Sequence, residues 1–376
     1  MTARPRVVVV RGHQLNSWHL RPWRHLTDRF DVVALRTRRN WFDTASLGFP
    51  TTEAPALRDY LPAGRIGDAL SRVPGDRYVR PEDALRGAAI VHSQDLGFWY
   101  SMQAARLRER LGYKLVLTVW ETIPFLAAYR NVRTRRYRRL VLEHTDLFLA
   151  ATERARAALL LEGAPAERIR VAAPGVDRSL FSATGATTSD HVIVSPGRLV
   201  WEKGHQDVLR AVAALRHGVV DAPATRTRVL VIGAGPEEDR LRRYANELGI
   251  ADAVEVRSEI PYAEMPAVYA QASCMVLGSL PVWFWEEQFG MVLAEAMCAG
   301  LPIVASSSGA IPEVLRGQAP TFAPGDWLGL ARALAAGPLA QPPGTRARYD
   351  DAVVHEYSAE AGADRLARAY DDVLGA

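Results

Sequence analysis

Short apolar runs recur ten times along this chain, with longer amphipathic stretches between them, and that alternation leaves few folds open. Val7–Val10, Val32–Leu35, Ala89–His92, Leu115–Val119 and Leu147–Ala150 are each too short for an ordinary helix and lack a polar face. They read as parallel strands buried on both sides. A turn-rich stretch, DRSLFSATGATTSD (177–190), interrupts the pattern, which restarts with His191–Ser195, Arg228–Ile232, Ala253–Val256, Ser273–Leu277 and Pro302–Ala305. Helical periodicity fills the intervals, as in Gln206–Leu215, Pro236–Glu247 and Gln288–Cys298. Strand–helix alternation on this scale predicts two α/β domains, each a doubly wound parallel sheet that binds ligands at the carboxyl ends of its strands. At 376 residues the chain exceeds what one core usually supports. The expected boundaries are 1–180 and 186–355. The tail, Glu360–Leu374, has apolar residues at helical spacing, and the helix of 356–376 is expected to pack back on the first domain.

Several classes of protein are disfavoured. No apolar run approaches the roughly 18 residues of a membrane span, and the opening MTARPRVVVVRGH is too short in apolar residues for a signal-peptide core. Two cysteines, Cys274 and Cys298, form neither a disulfide framework nor a metal-ligand spacing, so a cytoplasmic location is expected. The net charge of +4 conceals an asymmetry: residues 1–180 carry +12 and the remainder −8. A basic half suits an anionic partner, whether a membrane surface, a phosphorylated acceptor or nucleic acid. RNVRTRRYRRL (130–140) holds six arginines between Arg130 and Arg139. They read either as a solvated helix face or as a contact for anionic lipid, which would place the protein peripherally at the inner face of a membrane. No aromatic–basic RNA motif or recognition helix accompanies the charge, so nucleic acid is not expected.

The densest chemistry lies in EEQFGMVLAEAMCAGLPIVAS (286–306). Glu287 and Glu295 stand eight positions apart, about 12 Å along an ideal helix. Gly290 between them would let a ligand approach the helix N-terminus, which favours phosphate. Carboxylates at either end suit paired sugar hydroxyls. The plain alternative makes Glu287 a solvated loop acid and Glu295 a partly exposed helix residue. SPGRLVWEKG (195–204) brings Gly197, Arg198 and Lys203 to the end of a strand, two fixed positive charges that could balance a pyrophosphate. No Asp-x-Asp in the first domain's loops would hold a metal, so side chains are the expected source of that charge. VLVIGAGPEEDRL (229–241) imitates a dinucleotide loop through Gly233 and Gly235, yet the third glycine position is Glu238, flanked by Glu237 and Asp239. Those acids fall where a pyrophosphate would sit, so nicotinamide binding is disfavoured.

Taken together, GRLVWEKG, VLVIGAGPEEDRL, VEVRSEIPYAEMPAVYAQASCMVLGS and WEEQFGMVLAEAMCAGLPIVASSSGAIPEVL resemble glycosyltransferase family 4, the retaining nucleotide-sugar transferases of the GT-B fold. The first half resembles the family more weakly, through VHSQDLGFWYS and GYKLVLTVWET. The resemblance implies two Rossmann-like domains facing each other across a cleft. It implies transfer of a hexose-type sugar from a nucleotide-diphosphate sugar to a hydroxyl acceptor: a polysaccharide, a lipid-linked glycan or a small molecule. Attack would be front-face, with no metal and no cofactor. By the same resemblance Arg198 and Lys203, beside Gly197, bind the donor diphosphate; Glu295 takes the ribose hydroxyls; Glu287 lies by the donor sugar. Backbone near Arg257 and Ser258 would lie against the base, and the N–H groups of Phe289, Gly290 and Met291 would approach sugar or phosphate. Two departures fall on the acceptor side. Relatives often carry a His where this chain has Trp120, followed by Glu121, and a glycine pair where it has RGHQLNSWH (11–19), with Gly12 alone. Glu121 reads equally as a sugar or acceptor contact and as a structural acid tied to backbone amides. His92, ending a strand and facing the expected cleft, is either reactive or structural. The rival readings are a nucleotide-sugar 2-epimerase of the same fold, an inert sugar-nucleotide binder and an anion- or nucleic-acid-binding module.

Overall fold

The computed structural model describes residues 3–62, 75, 77–126, 132–181, 189–222, 226–258 and 260–375, with side chains from 135 onward in the helix that begins at 132. The chain divides into two units, Met1–Val176 with Glu356–Ala376, and Asp177–His355.

The first unit is built on seven parallel strands: β1 (Arg6–Val10), β2 (Asp31–Arg36), β3 (Thr51–Glu53), β4 (Ile90–Gln94), β5 (Lys114–Val119), β6 (Leu147–Ala150) and β7 (Ile169–Val171). Their order across the sheet is β3-β2-β1-β4-β5-β6-β7. Side chains alternate between faces along a strand. Val8, Val10, Val91 and Leu117 accordingly enter one core, with Tyr100 and Phe148. Val7, Val9, Ile90 and Val116 enter the other, with Trp23 and Phe30. That second core is closed by the tail helix Ala359–Leu374, which contributes Ala363, Leu366, Ala367 and Tyr370. Ser358 caps its start by accepting the Ala361 N–H at 3.1 Å, and Gly375, at φ +71°, ends it in the left-handed conformation that favours glycine.

The second unit has six parallel strands: β8 (His191–Pro196), β9 (Thr227–Ile232), β10 (Val254–Arg257), β11 (Cys274–Leu277), β12 (Ile303–Ser306) and β13 (Thr321–Phe322). The order is β10-β9-β8-β11-β12-β13. Each sheet therefore reverses its winding once, between β1 and β4 in the first unit and between β8 and β11 in the second. The crevice outside the carboxyl ends at such a reversal is where doubly wound sheets hold ligands.

All ten expected strands form, with ends shifted by a residue or two; β4, β10, β11 and β12 each begin one residue later than expected. Three edge strands, β3, β7 and β13, were absent from the sequence reading because Thr-Thr-Glu, Ile-Arg-Val and Thr-Phe carry no apolar run. The helix expected over Gln288–Cys298 starts later, at Met291, after Gly290 at φ +78°. Both cysteines are free thiols. Among the described residues no helix is long and apolar enough to cross a membrane. The arginine-rich stretch falls on the helix Val132–His144. Arg130 and the Arg133 side chain lie outside the described residues. Arg135, Arg136 and Arg139 are exposed. Arg138 is not a lipid contact: it is buried, paired with Glu162 and 5.0 Å from the ring of Phe125.

Candidate functional site

In the second unit the chain leaves β8 through Gly197 and Arg198, turns through Trp201–Lys203 and enters the His205–Arg216 helix at Gly204. Gly204 has φ +71°, and a Cβ there would stand 1.9 Å from the Gly278 carbonyl oxygen, so the loops after β8 and β11 cross only because this residue is glycine. Gly233 and Gly235 serve the same end. Their Cβ atoms would lie 1.9 Å from the Gly197 oxygen and 2.3 Å from the Leu199 oxygen. Leu199 N–H donates to Ala234 at 2.9 Å, and Glu237 N–H donates to Leu199 at 3.0 Å. The dinucleotide-like glycines thus seat the loop that carries Arg198.

Lys203 Nζ lies 2.7 Å from Glu287 Oε2 and 4.7 Å from the Trp285 ring centroid. Ser279 Oγ donates to the same Oε2 at 2.6 Å. Glu287 is 5% exposed, so it is not a solvated loop acid. Its backbone is held from the β12 side, where Ala310 N–H donates to its carbonyl at 2.8 Å and Gly309 packs too closely for any Cβ. Ser308, on the same turn, is buried, and its hydroxyl has no hydrogen-bond partner among the described residues. The Arg198 side chain is 60% exposed, and its ionic partner among the described residues is Glu202 at 3.8 Å. Its backbone is fixed from below. His205 Nε2 lies 3.1 Å from the Arg198 carbonyl and Nδ1 lies 2.8 Å from Ser195 Oγ. Burial pushes this imidazole down to about 4, leaving it neutral. A neutral ring satisfies both contacts when Nε2–H donates to Arg198 and Nδ1 accepts from Ser195.

Glu295 lies one helical turn inside the Met291–Cys298 helix and is 3% exposed, not the partly exposed helix residue of the plain reading. Tyr262 Oη donates to Oε1 at 3.0 Å and Tyr269 Oη to Oε2 at 3.1 Å. Burial raises its pKa to about 7 against those two donors, which lower it. Each carboxylate oxygen keeps a lone pair beyond its tyrosine. Arg257 is exposed and paired with Glu255 at 2.7 Å, and Ser258 beside it is exposed. Phe289 is buried, and Met291 is half-buried at the helix start. The structure therefore brings Lys203 and Glu287 into contact under the Arg198 loop and gives Glu295 a tyrosine pocket of its own. Sequence reasoning missed Ser279, Trp285, His205, Tyr262 and Tyr269. Two faint signals were present: His205 directly follows Lys203-Gly204, and the two tyrosines are seven apart, two helical turns.

In the first unit the expected acceptor-side residues separate. His92 is not at a strand end: β4 continues to Gln94, and the ring is fully buried. Its Nδ1 lies 2.7 Å from Tyr370 Oη and its Nε2 2.7 Å from Thr118 Oγ1. Burial holds its pKa well below the ordinary value. With both nitrogens engaged inside the core, His92 is structural. Gly12, at φ +59°, is buried. Trp120 and Glu121 follow β5 and donate their backbone N–H groups to Asp95 Oδ1, at 2.8 and 3.2 Å. The Glu121 Oε1 accepts the N–H groups of Thr122 and Ile123, both at 2.9 Å, which is the structural-acid arrangement. Burial raises Glu121 to about 7 and Asp95 to about 6.

Two doubly wound parallel sheets, the second bearing Arg198 and Lys203 at its winding reversal, define a two-domain α/β protein. Family models assign it more closely. Glycosyltransferase Family 4 matches residues 24–180 and Glycosyl transferases group 1 matches residues 177–336. The chain belongs to these glycosyltransferases, and its fold is GT-B. It is similar to the D-inositol 3-phosphate glycosyltransferases of Mycobacterium bovis and Mycobacterium tuberculosis, 29% identical over 255 residues, 60% of this chain and 48% of theirs. The chain thus spans about half the length of the curated relatives it matches. Among solved structures it resembles Anabaena Alr3699/HepE in complex with UDP and glucose, with TM-score 0.73, 16% identity, and coverage of 98% of this chain and 100% of that one. It also resembles sucrose-phosphate synthase from Thermosynechococcus elongatus, with TM-score 0.75, 18% identity, and coverage of 99% and 100%.

Proposed function

We propose that this protein is a retaining glycosyltransferase that moves a hexose-type sugar from a nucleotide-diphosphate sugar to a hydroxyl acceptor without a metal. The observation that carries the reading is the cluster after β8 and β11: exposed Arg198, with Lys203 held 2.7 Å from Glu287. Arg198 supplies an exposed guanidinium fork for the diphosphate. Glu287 and the Trp285 face orient Lys203, whose ammonium has three N–H bonds, only one of them directed at Glu287. Charge grows on the diphosphate as its bond to C1 breaks, and these two cations stabilise it more in the transition state than in the ground state. The acceptor oxygen then bonds C1 on the face the diphosphate leaves, and the departing phosphate oxygen takes the acceptor proton. Glu295 receives the ribose hydroxyls on the lone pairs its tyrosines leave open, and the donor base lies beside Arg257 and Ser258.

Arg198→Ala or Lys203→Ala is expected to lower kcat/KM for sugar transfer by about 100- to 1000-fold, as for loss of one preorganised charge-stabilising donor. Wild-type turnover in both variants would overturn the assignment. Conversion of donor alone into its C2 epimer would point to epimerisation instead, and an inverted anomeric centre in the product would remove the front-face step. UDP-sugars head the donor screen, followed by GDP-, ADP- and dTDP-sugars, because neighbouring structures hold UDP and UDP-glucose.

A further inference from the structure

Arg11 has no part in the reading above. It follows β1 directly, where the first sheet reverses its winding, and it is 5% exposed. A guanidinium carries five N–H donors and stays charged. Among the described residues this one makes a single hydrogen bond, from Nη1 to the Val10 carbonyl at 3.2 Å. Its central carbon lies 5.5 Å from the Trp23 ring centroid. No carboxylate of the described residues forms an ion pair with it. Asp95, at the end of β4, acts on it only through space, while its Oδ1 takes the N–H groups of Trp120 and Glu121. A buried cation without an ion-pair partner costs several kcal/mol, and burial pulls the Arg11 pKa below its ordinary value.

Arg11 lines a cavity whose other walls include His19, Gln94, Thr118 and Trp120. The His19 ring lies 5.4 Å from the Trp120 ring, tilted by 31°. Burial pushes His19 down to about 4, so at neutral pH it adds no charge. Its Nδ1 lies 3.3 Å from Asn16 Nδ2, an amide donor, which leaves the proton on Nε2. The cavity is thus lined by one buried, under-used cation, by His19 and Gln94 among its few polar groups, and by an otherwise apolar wall that includes Trp120, Trp23, Leu149 and Leu366. Those are the parts of a small oxyanion site.

We propose that this cavity is an anion subsite, in which the Arg11 fork and the His19 Nε2–H receive a phosphate or carboxylate carried by the acceptor while Trp120 covers the carbon skeleton beside it. The word acceptor rests on the proposed transferase activity; the binding of an oxyanion does not.

The test is calorimetric titration of the full chain with inorganic phosphate and, separately, acetate, for wild type, Arg11→Met, Arg11→Lys and Arg198→Ala. Wild type is expected to show a binding event that weakens at least about tenfold in Arg11→Met, weakens less in Arg11→Lys, whose ammonium lacks the fork, and persists in Arg198→Ala. Preference for phosphate marks a phosphorylated acceptor, and preference for acetate marks a carboxylate one. Equal affinity in wild type and Arg11→Met, loss in Arg198→Ala alone, or no binding of either probe overturns the proposal. A parallel thermal melt shows whether Arg11→Met is folded; if it is not, Arg11→Lys decides alone, and affinity equal to wild type in that variant overturns the proposal. Failure of wild type to bind any nucleotide of the donor screen would sink the donor reading and leave the anion site standing.

Discussion

Glu295 shows how far a single residue's role depends on its surroundings. The carboxyl is buried, its pKa is raised to about 7, and it ionises near 4.5 once unfolded. The folded state therefore holds this proton more tightly. Stability from this group is complete below about pH 4.5 and is lost as pH rises through about 7. Asp95 and Glu121, raised to about 6 and about 7, act in the same direction. The melting temperature of the protein is thus expected to fall between pH 5 and pH 8. Glu295→Gln, which keeps an acceptor and removes the titration, should remove on the order of 2 kcal/mol of that loss across the interval and flatten the slope. Thermal melts across the interval check it, and an unchanged slope counts against the burial argument. Gly204 makes a backbone case. Gly204→Ala forces a Cβ to within 1.9 Å of the Gly278 oxygen, at a φ of +71°. The expected loss is about 2 kcal/mol or more, a fall of about 4–8 °C in Tm for a unit of this size. Lys203 should be displaced with its loop, so donor-diphosphate affinity measured by calorimetry should fall as well. The Glu287–Glu295 spacing was legible because both acids lie on one short segment. Their partners were not: Lys203 is 84 positions from Glu287, and Tyr262 and Tyr269 are 33 and 26 from Glu295. Nothing local encodes such pairings.

At the level of elements, apolar runs marked every central strand, because a parallel strand covered on both faces needs apolar side chains in both directions. Edge strands carry no such requirement, which is why β3, β7 and β13 escaped notice. The tail helix was visible from its spacing, but its polar contribution was not. Tyr370 Oη receives the Trp23 Nε1–H at 2.8 Å and meets His92 Nδ1 at 2.7 Å, linking the tail to the β1–β4 region of the sheet. With His92 neutral, the hydroxyl donates to Nδ1 and Nε2–H donates to Thr118, a chain in which every polar atom has a partner. Tyr370→Phe keeps the ring and orphans two buried groups, each worth about 1–3 kcal/mol. Chemical denaturation should report a loss of at least about 2 kcal/mol in total. A change under about 0.5 kcal/mol, the usual range for inconsequential substitutions, would show that the chain of hydrogen bonds is dispensable.

On the scale of the whole molecule, charge and architecture run in parallel. Residues 1–180 carry +12 and the rest −8. Arg135, Arg136 and Arg139 remain exposed on the Val132–His144 helix, whereas Arg138 is withdrawn into an ion pair. If the exposed arginines rest on lipid, the protein will sediment with vesicles containing anionic lipid and remain in the supernatant with neutral ones, and added salt will release it, since surface charges are screened within about 10 Å at 0.1 M. Equal recovery with both vesicle types would leave these arginines as a solvated face.

The amino-acid sequence by itself determined two parallel α/β units, the strand ends where polar loops gather, and the two acids and two cations of the second unit. These follow from periodicity and spacing, which are properties of neighbours along the chain. Only the tertiary structure decided what each polar side chain does. It placed His92 inside a core, closed Glu121 onto its own backbone, joined Lys203 to Glu287, and left Arg11 buried in a cavity with donors to spare. A buried polar group takes its function from whichever partner the fold brings within about 3 Å, and segments far apart in the chain set that distance.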